Sequence, residues 1–207
     1  VDAVALVAER RDGVTFWAKA PQVRCAGGAP GPAMPCEVRL EKEIRHLYPA
    51  FYMALGNALP DCGPLLRFYW HLTPVAAVRY MALATERLNQ DGIPFKTKVL
   101  STPNQYLRAD AGVLYVNRGD FARLRPIIKL LYADLRTGLN EAVPMFTKRL
   151  APGLGLADDP GGGLSFGQSR CRVAAEGLYR CWAEGLHHPE ERLRRLAEVF
   201  REKGLDP

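Results

Sequence analysis

The sequence predicts an α+β fold, a central antiparallel sheet flanked by helices, on three observations. Leu66–Leu72, Phe95–Leu100 and Gly112–Asn117 each alternate apolar and polar residues with the period of two that marks a half-buried strand. Segments with helical spacing of apolar residues lie between and after them. The resulting order, βαββα, then more β, then αα, lacks the regular strand–helix alternation of a parallel sheet. The 207 residues, 48% hydrophobic, are enough to bury a full core.

Residues 1–36 read as an N-terminal extension. A weakly amphipathic stretch leads into Cys25-Ala26-Gly27-Gly28-Ala29-Pro30-Gly31-Pro32-Ala33-Met34-Pro35, whose Gly and Pro content argues against regular structure, so 20–36 is expected to be irregular. Residues 37–207 read as one α+β domain. Val38, Leu40, Ile44 and Leu47 give Glu37 to about Tyr48 a helical character that Pro49 ends. The first strand of the sheet follows at 65–72. Thr73-Pro74 is a helix start, an N-cap followed by proline at the first helical position, and the helix carries Val75, Val78, Met81, Ala82 and Leu88 to Asn89. Strands at 94–100 and 111–117 flank a turn at Pro103-Asn104. A second long helix fits Asp120 to about Leu139, with a fresh start at Pro126 left open, and 144–150 fits a further strand. Gly153–Gly163, with five glycines, reads as a long loop beside the sheet. Ser165 or a neighbour caps a helix through Glu184, and Pro189 opens the last one, which ends near Gly204.

Composition excludes several classes. No apolar run approaches a membrane span. The chain opens Val1-Asp2-Ala3-Val4 without methionine, which reads as a processed or partial chain. The net charge of +6 is spread out, and near the C-terminus bases interleave with acids, as in Glu190-Glu191-Arg192-Leu193-Arg194-Arg195. Without a run of cations and interleaved aromatics, a phosphorylated or otherwise acidic ligand is favoured over nucleic acid. Cys25, Cys36, Cys62, Cys171 and Cys181 form no CxxC pair and no zinc-spaced Cys/His set. That scatter reads as reduced thiols in the cytoplasm. His187-His188 reads as a turn between helices rather than a metal site, and no cofactor, metal or membrane partner is called for.

The alternation also sorts the polar residues. Arg67, Tyr69 and His71 share one face of the first strand, Lys96 pairs with Lys98 on the second, and Tyr115 with Asn117 on the third. Lysines at i and i+2 repel unless an anion lies between them, and a phosphate would serve. Ordinary surface lysines on a half-solvated sheet have the same spacing. The Gly-rich 153–163 segment lacks both nucleotide-loop patterns, G-x-x-x-x-G-K-[ST] and a post-strand G-x-G-x-x-G.

Seven stretches, in order, resemble the HopA-type family of type III secretion effectors: Phe51–Gly56, Arg67–Leu72, Ile93–Leu100, Tyr106–Tyr115, Phe146–Lys148, Leu150–Pro160 and Ser165–Arg170. The resemblance implies a phosphothreonine-lyase-like fold. It also implies kinship with proteins of thioamitide and class V lanthipeptide gene clusters, understood to eliminate phosphate from phosphoserine or phosphothreonine beside a kinase-like protein. Carried onto this chain, it makes Lys98 the catalytic lysine and His71 the acid. Arg108 and Tyr115 become phosphate contacts, and Arg170 stands for an arginine nearer the C-terminus. A lysine that the lyases place two residues before the histidine is Tyr69 here, so Lys96 or Arg67 must supply that part of the grip.

β-Elimination removes the Cα proton and expels phosphate from Cβ. It needs a base for a weakly acidic proton and cations for the leaving group. A lysine serves as the base once its pKa is lowered, for which Lys96 and Arg108 are candidates; arginine suits bidentate phosphate contact. The leading expectation is a phosphoserine/phosphothreonine lyase acting on a phosphorylated precursor peptide, with a kinase-like protein as partner. The alternatives are the same chemistry on a host protein, as an effector, and a non-catalytic phosphopeptide-binding partner of a kinase-like protein.

Overall fold

In the computed structural model, residues 5–9, 15–25, 27–29, 31, 34–39, 41–45, 50–159 and 165–205 are described. The chain divides into two compact units, Val1–Lys42 and Glu43–Pro207. In the first, β1 (Ala5–Glu9) and β2 (Thr15–Lys19) pair antiparallel, as do β3 (Val23–Cys25) and β4 (Cys36–Val38). Cys25 and Cys36 lie opposite each other in that second pair and are joined by a disulfide. Two expectations are corrected here. The 20–36 segment is not irregular throughout, because its Gly/Pro run is held between two short paired strands. The cysteines are not all reduced either; of the five, Cys62, Cys171 and Cys181 are free. Residues 26, 30, 32 and 33 of the run lie outside the described residues.

The second unit is built on a seven-stranded sheet, antiparallel at every pairing. It comprises β5 (Glu43–Ile44), β6 (Phe51–Leu55), β7 (Leu65–Trp70), β8 (Phe95–Leu100), β9 (Gly112–Asn117), β10 (Lys148–Ala151) and β11 (Leu154–Asp158) in the order β10-β11-β7-β9-β8-β6-β5. The three strands that the alternation predicts are the three central ones, and β9 is inserted between β7 and β8. The helix expected at 37–48 is absent among the described residues. Cys36–Val38 and Glu43–Ile44 are strands, and 46–49 lie outside the description. Three of the four apolar positions, Val38, Leu40 and Ile44, also satisfy period two, and sheet pairing decides between the two readings. The long loop expected at 153–163 begins as a hairpin, β10 with β11; residues 160–163 lie outside the described residues.

Helices α1 (Pro74–Gln90) and α2 (Phe121–Leu135) cover one face of the sheet. Thr73 caps α1, its hydroxyl accepting from the Ala76 N–H at 3.3 Å, and α2 runs through Pro126 without restarting. Tyr80, Ala84 and Leu88 of α1 and Leu124, Ile127 and Leu131 of α2 are buried against Leu66, Phe68, Trp70, Phe95, Leu114 and Val116. Gly112, opposite Trp70, is needed for space, since a Cβ there would lie 2.6 Å from Leu72 Cδ1. Helix α3 (Phe166–Ala183) starts with a reciprocal cap between Ser165 and Gln168 and pairs with α4 (Pro189–Glu202). No helix among the described residues is long and apolar enough to cross a membrane.

One polar residue, Thr97, faces the helices. It is fully buried, accepts from the Tyr80 hydroxyl at 2.7 Å and donates to the Val113 carbonyl at 3.1 Å. Thr97→Val should therefore cost about 1–3 kcal/mol by stranding the Tyr80 hydroxyl. Adding Tyr80→Phe should recover part of that loss in urea denaturation, and a double variant less stable than Thr97→Val would count against the pairing.

Candidate functional site

The face of the sheet turned away from α1 and α2 carries the polar residues of the alternation. Register fixes two rows across it. Leu55, Lys96, Tyr115, Arg67 and Ala157 face one another on β6, β8, β9, β7 and β11, and Met53, Lys98, Val113, Tyr69 and Gly155 form the next row. Neighbouring strands lie about 4.8 Å apart, so Lys96, Lys98 and Arg67 converge around Tyr115. The ring centre lies 5.2 Å from the Arg67 guanidinium, 5.5 Å from Lys96 Nζ and 6.0 Å from Lys98 Nζ. The electron-rich ring eases the repulsion of cations that the spacing alone left unbalanced.

A second ring, Phe51, lies 3.9 Å from Lys98 Nζ and 5.5 Å from the Arg108 guanidinium, which approaches from the loop between β8 and β9. A third, Phe166 at the start of α3, lies 4.8 Å from the Arg170 guanidinium and 5.7 Å from the Tyr69 ring. Phe166, Tyr69, Val113 and Ala157 form a small apolar cluster, with Tyr115 packed against it, that brings α3 onto this face. Arg170 is buried, and burial lowers its pKa.

Two carboxylates that sequence reasoning missed complete the site. Asp159 accepts from Arg67 Nε at 2.7 Å in a pair with only 12% and 15% of the side chains exposed. Burial opposes the Arg67 charge most strongly, and the Asp159 bond together with Tyr115 and Tyr69 more than restores it. Asp110 grips Arg108 with both oxygens, 2.9 Å to Nε and 2.8 Å to Nη2. Five cations and two carboxylates thus share one face, an arrangement suited to a multiply charged anion.

Lys98 is the lysine that this setting perturbs. Burial, above all, lowers its pKa; Asp110 opposes the shift, and Arg67 and Arg108 add to it. His71 stands one residue past β7, on the side of Tyr69 by alternation. Its N–H donates to the Gly153 carbonyl, and Nδ1 lies 3.0 Å from the Ala142 carbonyl. A carbonyl only accepts, so Nδ1 carries the proton, and the buried Nε2 has no partner among the described residues. Gly153 is locked by its positive φ of 71°, and any Cβ there would strike the Asn140 carbonyl. Lys96, Lys98, Arg67, Tyr115 and Arg108 are therefore assembled directly, and Arg170 joins them through Phe166 and Tyr69. His71 lies at the rim, held by the 139–142 and 153 backbone. No group of three or more metal-binding side chains occurs among the described residues.

The model of the HopA1 effector protein family matches residues 44–207. Two solved structures resemble the fold, the effector protein from Pseudomonas syringae pv. tomato strain DC3000 (TM-score 0.61) and that from Pseudomonas syringae pv. syringae strain 61 (TM-score 0.58). Each is 22% identical over 76% of this chain, and the match covers 60% of the solved chain, so this chain spans about three-fifths of their length. No curated protein matches the sequence.

The signs of these effects make Lys98 testable on its own. Its ammonium should lose its proton below the usual lysine range in a ¹³Cε NMR titration. Asp110→Asn should move the midpoint further down, and Arg108→Gln should move it up, since each removes a charge acting in the opposite sense. Midpoints that stay with ordinary surface lysines, or shifts of reversed sign, would contradict the assigned environment.

Proposed function

The chain belongs to the HopA1 effector protein family, and from that premise we propose that it eliminates phosphate from phosphoserine or phosphothreonine in a peptide, leaving dehydroalanine or dehydrobutyrine. The observation that carries this reading is Lys98, half-buried beside Arg67 and Arg108 with its charged form disfavoured by burial. A neutral amine on a cationic face is what the reaction requires. Lys98 Nζ takes the Cα proton, the C–H electron pair becomes the Cα=Cβ double bond, and the Cβ–O bond breaks with its electrons leaving on phosphate. Arg108, Lys96 and Arg170 receive the phosphate oxygens, with Arg67 held by Asp159 beside Tyr115, and His71 acts as the acid in its imidazolium form, which carries a proton on Nε2 as well as Nδ1 and gives the Nε2 proton to the leaving group. None of these steps calls on a cofactor.

The biological setting proposed first is a cytoplasmic step of ribosomal peptide natural-product biosynthesis, in the lanthipeptide or thioamitide manner. There a kinase-like protein phosphorylates the precursor peptide that this chain then dehydrates. The family's description as effectors favours a second setting, the same elimination on a host protein. A third reading, phosphopeptide binding without catalysis, is favoured by Asp110. That carboxylate supports the ammonium form of Lys98 and occupies the Arg108 fork.

Mass spectrometry of a synthetic phosphopeptide incubated with the protein separates elimination from binding, because only elimination removes the mass of phosphoric acid. Lys98→Ala should lower the rate about 10²–10⁴-fold while phosphopeptide binding survives. Lys96→Ala and Arg108→Ala should chiefly weaken binding. An active Lys98→Ala protein would remove the proposed base.

The pH dependence follows from the same residue. The active form is the neutral amine, so the rate should rise with pH, and the lowered pKa should place that rise below the ordinary lysine range. A bound phosphate dianion favours the ammonium, so the midpoint for kcat should lie above that for kcat/KM. Coincident midpoints would show that the phosphate does not sit beside Lys98.

A further inference from the structure

On the opposite face of the sheet, α2 does not close completely against β10 and β11. A cavity of about 370 Å³ opens there between Phe68, Phe121, Ile128, Leu150 and Leu154. Phe121 and Leu150 remain 39% and 41% exposed although both are large and apolar. Tyr132 brings a hydroxyl to the wall, but that hydroxyl already donates to the Pro152 carbonyl at 3.1 Å. The cavity is therefore greasy inside, and of a size that takes one bulky side chain with room for its neighbour.

Its rim has a definite charge. Arg125 and Lys129 line it from successive turns of α2. Lys148, opposite Leu156 and hence on the side of Phe68, is a further cation on the same face, from β10. All three are exposed, and none forms an ion pair among the described residues. The acidic side chain within α2, Asp134, is turned to Arg87 of α1 at 2.6 Å. Cations elsewhere on this chain commonly have acids beside them, as Arg67, Arg108, Arg180 and Arg195 do. Two unpaired cations lining an apolar cavity, with Lys148 on the same face of β10, are complementary to a partner that is apolar at one point and acidic beside it.

We propose that this groove docks an acidic peptide segment through one bulky apolar side chain, and that the segment is a remote part of the phosphorylated peptide that reacts on the other face. The second clause rests on the lyase reading above; the first does not. Remote anchoring of this kind raises the local concentration of the reacting residue without touching it. It also sets a spacing. The groove opens at the β10 edge, and Lys98 lies on β8, four strands inward. Four spacings of about 4.8 Å make roughly 19 Å, so at least about six extended residues separate anchor and phosphoresidue.

The test uses the full chain and an unphosphorylated probe, fluorescein-labelled Asp-Glu-Leu-Phe-Glu-Asp, read by fluorescence anisotropy and by ¹³C-methyl NMR at Ile128. Binding should shift the Ile128 methyl resonances. It should weaken about tenfold or more in Arg125→Glu/Lys129→Glu and in a probe with lysines for its acids, and persist in Lys96→Ala. Lys129→Gln, which keeps the helix surface polar, should weaken binding less and serves where the double variant fails to fold. No binding by the intact chain, equal binding of the lysine probe, or loss in Lys96→Ala but not in the groove variants would overturn the proposal. Since the probe carries no phosphate, absence of elimination elsewhere leaves this outcome readable.

Discussion

Helices α1 and α2 seal one face of β7, β9 and β8, and this single packing constraint decides where the polar residues of those strands must go. Trp70, Tyr80, Phe68, Phe95 and Leu114 are almost wholly withdrawn from solvent on that side. Each fully buried large side chain contributes about 1.5–3 kcal/mol, so sliding any central strand by one residue would exchange several of them for charges at a prohibitive cost. The cations have no alternative to the opposite face. Thr97 is the polar residue admitted to the sealed side, and both of its hydrogen bonds are made internally.

Crowding five cations on one face is unfavourable in itself, and the structure offsets it in three ways. Tyr115 and Phe51 place ring faces against lysines and arginines, Asp159 neutralises the largely enclosed Arg67 guanidinium, and Asp110 clamps the more open Arg108. The offsets differ in kind. The Arg67–Asp159 pair is nearly buried, so removing either partner strands a charge in a poor solvent; the pair is structural as much as functional. The Arg108–Asp110 pair is much more open, at 48% and 33% side-chain exposure, so its carboxylate is an anion that another anion can replace. A phosphate arriving at Arg108 therefore meets competition from Asp110, and Asp110 also resists the loss of the Lys98 proton. In the proposed elimination, phosphate recognition and base activation are thus coupled through one carboxylate.

What the sequence made legible follows from how local each signal is. The three central strands and helices α1, α3 and α4 announce themselves through periodicity, caps at Thr73 and Ser165 and the opening proline Pro189, and their bounds agree with the structure to within a few residues. The same alternation placed Lys96, Lys98, Arg67 and Tyr115 on one face. Strand β6 carries no alternation because it buries residues on both faces of the sheet, Phe51 and Met53 on one and Ala54 on the other. Strand β11 is masked by glycines, one of which, Gly155, is required because a Cβ would come within 2.7 Å of Thr147 Oγ1. The pairing of Cys25 with Cys36 depends on two strands meeting, which no count of cysteines reveals. Asp110, Asp159, Phe51 and Phe166 were illegible as site residues for the same reason. Asp159 and Phe51 meet their cations across the sheet, over 92 residues of sequence in the case of Arg67 and Asp159, whereas Asp110 and Phe166 lie close in sequence to Arg108 and Arg170 and are brought to this face only by the fold.

The position of His71 bears on how the proposed elimination would be divided among these residues. Its ring is fixed at Nδ1 by a backbone carbonyl and enclosed at Nε2, so it is oriented, but it sits where β7 has ended, beyond the row that holds Lys98. Removing a peptide Cα proton is the harder half of the elimination, and nothing but a placed base does it. Neutralising a departing phosphate is easier, and Lys96, Arg108 and Arg170 already supply charge for that purpose. Under the proposed reaction the lysine's part is irreplaceable, whereas the histidine's is shared. A chain that lost His71 would still present a cationic face to the leaving group, whereas one that lost Lys98 would hold the phosphate and leave the carbon acid untouched.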